Sequence, residues 1–184
     1  NYSADFKANS AGENAPHLYS GKFYVVNNYK VYKCIYNGSS PANPNGIAST
    51  VAPTGTGTTI FSTADGYKWK FLYSIGTDDV IKFFTTSYVP VPAAWGVGSA
   101  GDPTNGVDVK AAAVDGAIDT VVINNGGTGY TDNAVTGYTN VPIRGDWQKN
   151  GGTQALATIK VSSGAVTEVT VTTPGSGYTY GYIN

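Results

Sequence analysis

Along the chain, apolar and polar positions alternate in short runs separated by polar stretches. The plainest run is Tyr67-Lys68-Trp69-Lys70-Phe71-Leu72-Tyr73, where aromatics at 67, 69, 71 and 73 share one face and lysines take the other. This is the pattern of a half-buried strand, and Asp65-Gly66 opens it with a turn. Lys22 to Val26 and Lys30 to Tyr36 flank Asn27-Asn28-Tyr29. Asparagine tolerates the left-handed conformations of a tight turn, so a β-hairpin is predicted there. Ile81 to Val91 is expected to run extended and to end at Pro90 and Pro92. Helix-like spacing is confined to Asp78 to Phe84 and Pro92 to Trp95. Residues 1–20 show neither a strand nor a helix period and read as an extended arm or connecting segment. Asn37 to Thr59 is almost entirely Gly, Ser, Pro, Asn and Thr, a loop long enough to imply a use.

The composition shifts to Pro, Ala, Gly, Ser and Asn over 93–106, which reads as a linker between a β-rich lobe at 21–92 and a second lobe at 107–184. The second lobe carries an internal repeat. Val109 to Thr131 realigns without gaps on Ala157 to Thr179 at an offset of 48 residues. Each copy is read as a strand, a turn at Asp115-Gly116 or Ser163-Gly164, a return strand, and a glycine-tyrosine corner. The corners are Gly127-Thr128-Gly129-Tyr130-Thr131 and Gly175-Ser176-Gly177-Tyr178-Thr179. Their glycines would supply positive φ where the strand ends, and the tyrosine would lay its ring over a neighbouring hairpin with its hydroxyl wet or bonded to a carbonyl. Repeats of this kind close a core that neither copy buries alone. The predicted fold class is all-β, an antiparallel sandwich-like first lobe followed by two repeated β-hairpins. The second copy stops soon after its corner and the chain has no methionine. A processed or excised piece of a longer polypeptide, truncated at the C-terminus, is therefore expected.

Composition narrows the chemistry. Glycine numbers 24 and tyrosine 14, while the residues that extend helices are scarce. Charged residues make up 12% with a net charge of −1, so there is no basic stripe for a nucleic-acid backbone. No apolar run approaches the ~20 residues that span a bilayer. The single cysteine, Cys34, cannot pair within the chain or hold zinc by itself. No cofactor, metal, nucleic-acid or membrane partner is expected.

Candidate catalytic groups are near-misses. His17 is the only histidine and has no carboxylate close in sequence. Asp78-Asp79 would point to opposite faces of a strand, or cap a turn, rather than form a glycosidase pair. Gly126-Gly127-Thr128-Gly129-Tyr130-Thr131-Asp132 resembles a calcium-binding nonapeptide with its aspartate one residue late. Gly55-Thr56-Gly57-Thr58-Thr59 lacks the lysine of a phosphate loop. Tyr67, Trp69, Phe71 and Tyr73 read as core rather than as a sugar platform. Asn1-Tyr2-Ser3 and Asn37-Gly38-Ser39 fit the glycosylation pattern, which matters only in a secreted eukaryotic protein.

Phe23-Tyr24-Val25-Val26-Asn27, Val31-Tyr32-Lys33-Cys34, the following Gly/Pro/Asn-rich loop, Pro53-Thr54-Gly55, Asp65-Gly66-Tyr67-Lys68-Trp69 and Phe83 to Pro90 together resemble the baseplate wedge protein of contractile-tailed, T-even-like phages. The resemblance is strongest to the versions in marine cyanophages. It covers about residues 20–92, and Asp65, Gly66, Tyr67 and Trp69 are its most specific part. It implies a non-enzymatic virion protein of the tail baseplate, assembled in the host cytoplasm. Such a protein is β-rich, dimeric within each wedge, and in contact with other wedge proteins. The chain departs from the family in its N-terminal region and in its repeat, whose corners at Gly127, Gly129, Tyr130, Gly175, Gly177 and Tyr178 are similar to modules of phage structural proteins. Low charge, long polar loops and aromatic strands suit a permanent assembly component.

Two other readings compete. A carbohydrate-binding β-module of a tail fibre or secreted polysaccharide-active protein would stack sugars on exposed Tyr130, Tyr178, Tyr180 or Trp147, and needs at least two coplanar aromatics on an open surface. A hydrolase would need acids brought together from both lobes.

Overall fold

The structure, a computed structural model, describes residues 23–43 and 45–184. The expected arm at 1–20, His17 and the first glycosylation pattern lie outside the described residues. The chain forms two compact units that divide between Ala113 and Val114; residues 39–43 group with the second. All sheets are antiparallel, and the fold is mainly β.

In the first unit, strands β1 (Tyr24–Asn27), β2 (Lys30–Tyr36), β3 (Phe61–Ser62) and β4 (Lys68–Ser74) form one sheet in the order β1-β2-β4-β3. The predicted hairpin is β1-β2, closed by Asn28 and Tyr29 at φ 48° and 58°. Two left-handed residues in succession match the twist of the flanking strands. Through Tyr67 and the β4 strand that follows it the expected alternation holds: Tyr67, Trp69, Phe71 and Tyr73 are 5, 2, 3 and 6% exposed, so these aromatics are core. Across from them, Val31 faces Tyr73 and Tyr32 faces Phe71, because a bulge lies between Val31 and Tyr32. Phe71 and Tyr73 share a face, so the bulge turns two consecutive β2 side chains inward. Tyr32, Cys34, Trp69 and Phe71 pack with Val25, Phe61, Trp95 and Val109. Burial pushes the Cys34 thiol up to about 12, which leaves it an inert core group.

The sandwich-like expectation needs correction, because this sheet is covered by loops and short helices rather than by a second sheet. Ile81 to Val91 is not extended throughout. Helix α1 (Thr77–Phe83) takes its first part, with Asp78 and Asp79 in the first turn, where free N–H groups favour negative charge. Beyond it, Val89-Pro90-Val91-Pro92 can neither continue a helix nor donate regularly to a ladder. Pro92 to Trp95 forms a turn, not a helix. Residues 93–106 are not a linker either: Trp95 packs edge-on to Tyr73 with centroids 6.0 Å apart, and α2 (Val107–Ala111) buries Val109 in the same unit.

In the second unit, β5 (Asn133–Pro142), β7 (Leu156–Ser162) and β8 (Ala165–Thr173) form a sheet in the order β5-β7-β8, while β6 (Arg144–Gly145) pairs with β9 (Gly181–Tyr182). A single 3-10 turn, Trp147–Asn150, follows β6. The second repeat copy is the predicted hairpin, β7-β8, turned at Ser163 and Gly164 with φ 55° and 72°. The first copy is not a hairpin. Its opening residues Val109-Lys110-Ala111 enter α2 and its remainder joins no ladder, and β5 takes the place beside β7. Lysine and alanine favour helix where Thr158, Ile159 and Val161 of the second copy favour strand.

The Tyr32 hydroxyl is fully buried without a hydrogen-bond partner among the described residues. Removing an unpaired buried polar group relieves its desolvation cost. Tyr32→Phe is therefore expected to raise stability by up to about 1 kcal/mol in urea unfolding; a loss of that size would show that the hydroxyl is engaged.

Candidate functional site

Two constellations gather the residues that the sequence singles out. The first is built on Asp65. Its Oδ2 accepts from Ser49 Oγ at 2.7 Å and from the amides of Thr50 and Val51 at 2.8 and 3.0 Å. Oδ1 accepts from Thr63 Oγ1 at 2.5 Å and from Tyr67 N at 3.4 Å. Gly66, at φ 84°, makes the turn that lets one carboxylate serve both sides. Tyr67 then stacks on Trp69, with centroids 5.4 Å and planes 20° apart, and donates its hydroxyl to Ile47 O at 2.5 Å. Trp69 Nε1 donates to Thr63 Oγ1 at 3.2 Å. Asp65, Gly66, Tyr67 and Trp69 thus tie the long 37–59 loop to β4. Asn27 Nδ2 and Pro53 O, 3.0 Å apart, add a further tie. The loop is pinned along much of its length. Asn37 within it is 3% exposed, which closes that glycosylation site in the folded chain.

Partial burial would raise the Asp65 pKa, but the hydroxyls of Thr63 and Ser49 and the amides of Thr50 and Val51 outweigh it and hold the carboxyl well below the usual range. Hydrogen bonds from Thr104 hold Asp102 below its ordinary value, and the Thr179 hydroxyl and amide lower Asp146 to about 2.

The second constellation is the pair of corners. Gly127, Gly129, Gly175 and Gly177 all adopt positive φ, between 64° and 79°, as expected. The corners and turns of the two copies exchange bonds. Tyr130 N donates to Gly164 O and Tyr178 N to Gly116 O, both at 3.0 Å. Val166 N donates to Gly126 O and Ile118 N to Pro174 O, both at 2.8 Å. Swapping the copies converts each bond into its counterpart, so the repeat closes on itself as a local two-fold. The tyrosines then differ. Tyr178 is 6% exposed, and its hydroxyl donates to Ile143 O at 2.8 Å and accepts from Ala155 N at 2.9 Å. Tyr130 is 50% exposed and folds over Gly127. The late aspartate of the calcium-like stretch, Asp132, accepts from Ser163 N at 3.1 Å and Gly164 N at 2.8 Å, acting as a staple on the β7-β8 turn.

Among the described residues, no three or more His, Cys, Asp or Glu side chains converge as metal ligands. No helix among them is long and apolar enough to cross a membrane. A groove of about 550 Å³ in the first unit is lined by Tyr73, Asp79, Phe83, Pro90, Ala94 and Thr104, among others. Asp78 pairs with Lys82 at 3.7 Å on the exposed face of α1. Of the aromatics weighed for sugar stacking, Tyr178 is buried and Trp147 packs against the second-unit core, while Tyr180 stays 56% exposed. Tyr182, which the sequence reading passes over, lies parallel to Tyr180, with planes 8° and centroids 6.5 Å apart. The signal for it was the Tyr-x-Tyr-x-Tyr spacing of 178, 180 and 182. Compared with known protein families, with curated proteins and with solved structures, the chain matches none.

The folded-state pKa of Asp65 lies below its unfolded value of about 3.9. Its stabilisation is therefore full above that value and is lost as pH falls through the folded pKa. Asp65→Asn is expected to cost about 2–3 kcal/mol at pH 7 and clearly less at about pH 2.5, measured by denaturant unfolding at both; equal penalties would contradict the clamp. A Cβ at Gly116 would stand 2.3 Å from Tyr178 N, whereas one at Gly129 meets nothing within 4 Å. Both glycines are left-handed, at φ 65° and 79°. Gly129→Ala should cost about 1 kcal/mol of strain and Gly116→Ala at least about twice that, as read from the unfolding transition of the second unit.

Proposed function

We propose that the chain is a structural component of a contractile phage tail baseplate, a wedge element that works through contacts with other baseplate proteins. The observation that carries this reading is an apolar surface in the stretch 81–91. There Ile81, Phe83, Tyr88 and Val91 are 78, 59, 74 and 76% exposed. Large side chains left in water at this density belong to interfaces rather than to ordinary surface. The stretch lies within the part that resembles the wedge family, and it flanks the groove beside Tyr73. The Asp65 clamp supports the same reading, since the specific Asp65-Gly66-Tyr67-x-Trp69 motif stiffens a scaffold. A wedge component must hold its shape while its partners load it.

A second reading, a carbohydrate-binding module, is favoured by the parallel exposed pair Tyr180 and Tyr182.

Gold-labelled antibody against the full chain, applied to intact tailed particles of the source phage, should mark the distal plate of the tail in electron micrographs. A variant with Ile81→Ser and Val91→Ser should keep its unfolding midpoint, since both side chains are exposed, and should lose incorporation into particles. Label on fibres, or on no particle, would overturn the wedge reading.

A further inference from the structure

The β6-β9 ribbon presents a small platform that none of the motifs above uses. In its register Arg144 stands directly opposite Tyr182. Partners across an antiparallel ladder project from the same face, with Cβ atoms about 5 Å apart. Tyr180, two residues before Tyr182, keeps its ring parallel to that of Tyr182. Arg144, Tyr180 and Tyr182 are all exposed. The opposite side of the ribbon is closed: a Cβ on Gly181 would lie 3.1 Å from Ile118 and Ile143 of the core, and one on Gly145 would meet the Tyr180 carbonyl at 2.3 Å. The two tyrosine rings and the guanidinium therefore share the solvent side.

The platform is also held in place. Asp146 accepts from Thr179 N at 2.9 Å, from the Thr179 hydroxyl, and from Tyr180 N at 3.4 Å. These bonds fix the backbone leading into β9 and direct the Asp146 carboxylate at the chain. Beneath, the Tyr178 hydroxyl bridges Ile143 and Ala155. A preformed site loses less ordering entropy on binding.

We propose that Tyr180, Tyr182 and Arg144 form a binding site for a carboxylated oligosaccharide, the sugar's C–H face resting on the tyrosine rings and its carboxylate taken by the guanidinium. The chemistry follows from the groups. Aromatic faces are electron-rich and attract the slightly positive C–H edges of a pyranose. Arginine's planar fork matches a carboxylate with two parallel hydrogen bonds. A neutral glycan would leave the guanidinium without a partner, and a bare anion would make no use of the rings. This inference rests on the second reading above and adds the acidic substrate class. It is compatible with a virion role, because it uses a face of the second unit while the apolar stretch 81–91 belongs to the first.

The test is calorimetric titration of the full chain with a galacturonic-acid oligomer and with its methyl-esterified form. The acid should bind about tenfold more tightly than the ester, as expected for one charge-assisted contact. Arg144→Gln should bring the acid down to the level of the ester. Tyr180→Ala and Tyr182→Ala should each weaken both ligands several-fold, Tyr182→Phe should retain binding, and all four variants should melt as the parent does. Equal binding of acid and ester would overturn the acidic preference while leaving the carbohydrate reading standing; binding of neither would end both. An equal loss with Lys149→Gln would reduce the effect to unspecific charge and overturn the site. If Tyr180→Ala changed the oligomeric state instead of saccharide affinity, the face would be a protein interface and the inference would fail.

Discussion

A backbone amide that joins no ladder must find an acceptor or remain in water. In this loop-rich chain carboxylates meet that need: Asp65 gathers the amides of Thr50, Val51 and Tyr67, Asp132 those of Ser163 and Gly164, and Asp146 those of Thr179 and Tyr180. Each joins segments at least fourteen residues apart. The rest of the structure depends on this device, because the 37–59 loop, the β7-β8 turn and the approach to β9 have few ladder bonds of their own. The low content of charged residues fits the same picture. Asp65 and Asp146, lowered by the donors around them, stay ionised and are poor proton acceptors, so they shape loops rather than move protons.

What could be read in the sequence was whatever depends on near neighbours. Tyr67 to Tyr73 alternates because one face meets core, and the β1-β2 turn follows from asparagine's tolerance of left-handed backbone. The corners declared themselves through paired glycines. Long-range choices could not be read in this way. Asp65 looks like a turn residue, and nothing local says that it also closes on Ser49. Val31 and Tyr32, adjacent and both buried, defy a period of two until the bulge is known. The first repeat copy aligns on the second, yet its alanines and lysine favour a helix, and Val109 finds its place in the first unit's core instead. At Ile81 to Val91 the apolar content suggested a strand, but the prolines and the acidic first turn of α1 decided otherwise.

The candidate saccharide platform was half visible. Tyr180 was singled out as an aromatic able to stack, alongside Tyr130, which is also exposed, Tyr178, which is buried, and Trp147, which packs against the core. Spacing by two put Tyr178, Tyr180 and Tyr182 on a single face of any continuous strand. The strand is not continuous. β9 begins only at Gly181, after the positive φ of Gly177 has redirected the chain, so Tyr178 goes inward while the next two tyrosines stay outside. Arg144 carries no sequence mark at all, since only the β6-β9 register brings it to Tyr182.

The two corners show how far a motif determines its own use. Tyr130 and Tyr178 stand in the same glycine frame, and their amides make the same bond to the opposite copy. Their rings end in different surroundings because Ile143, Ala155 and Trp147 close over one and not the other. Backbone geometry is thus the property the repeat conserves within this chain, and side-chain burial is set by what packs nearby. The buried tyrosine is the one that matters to the open face. By bridging Ile143 and Ala155 beside the ribbon, its hydroxyl anchors the backbone on which Tyr180 and Tyr182 are carried. A platform supported in that way can present two parallel rings to a ligand without a large ordering cost, which a mobile pair of surface tyrosines could not do.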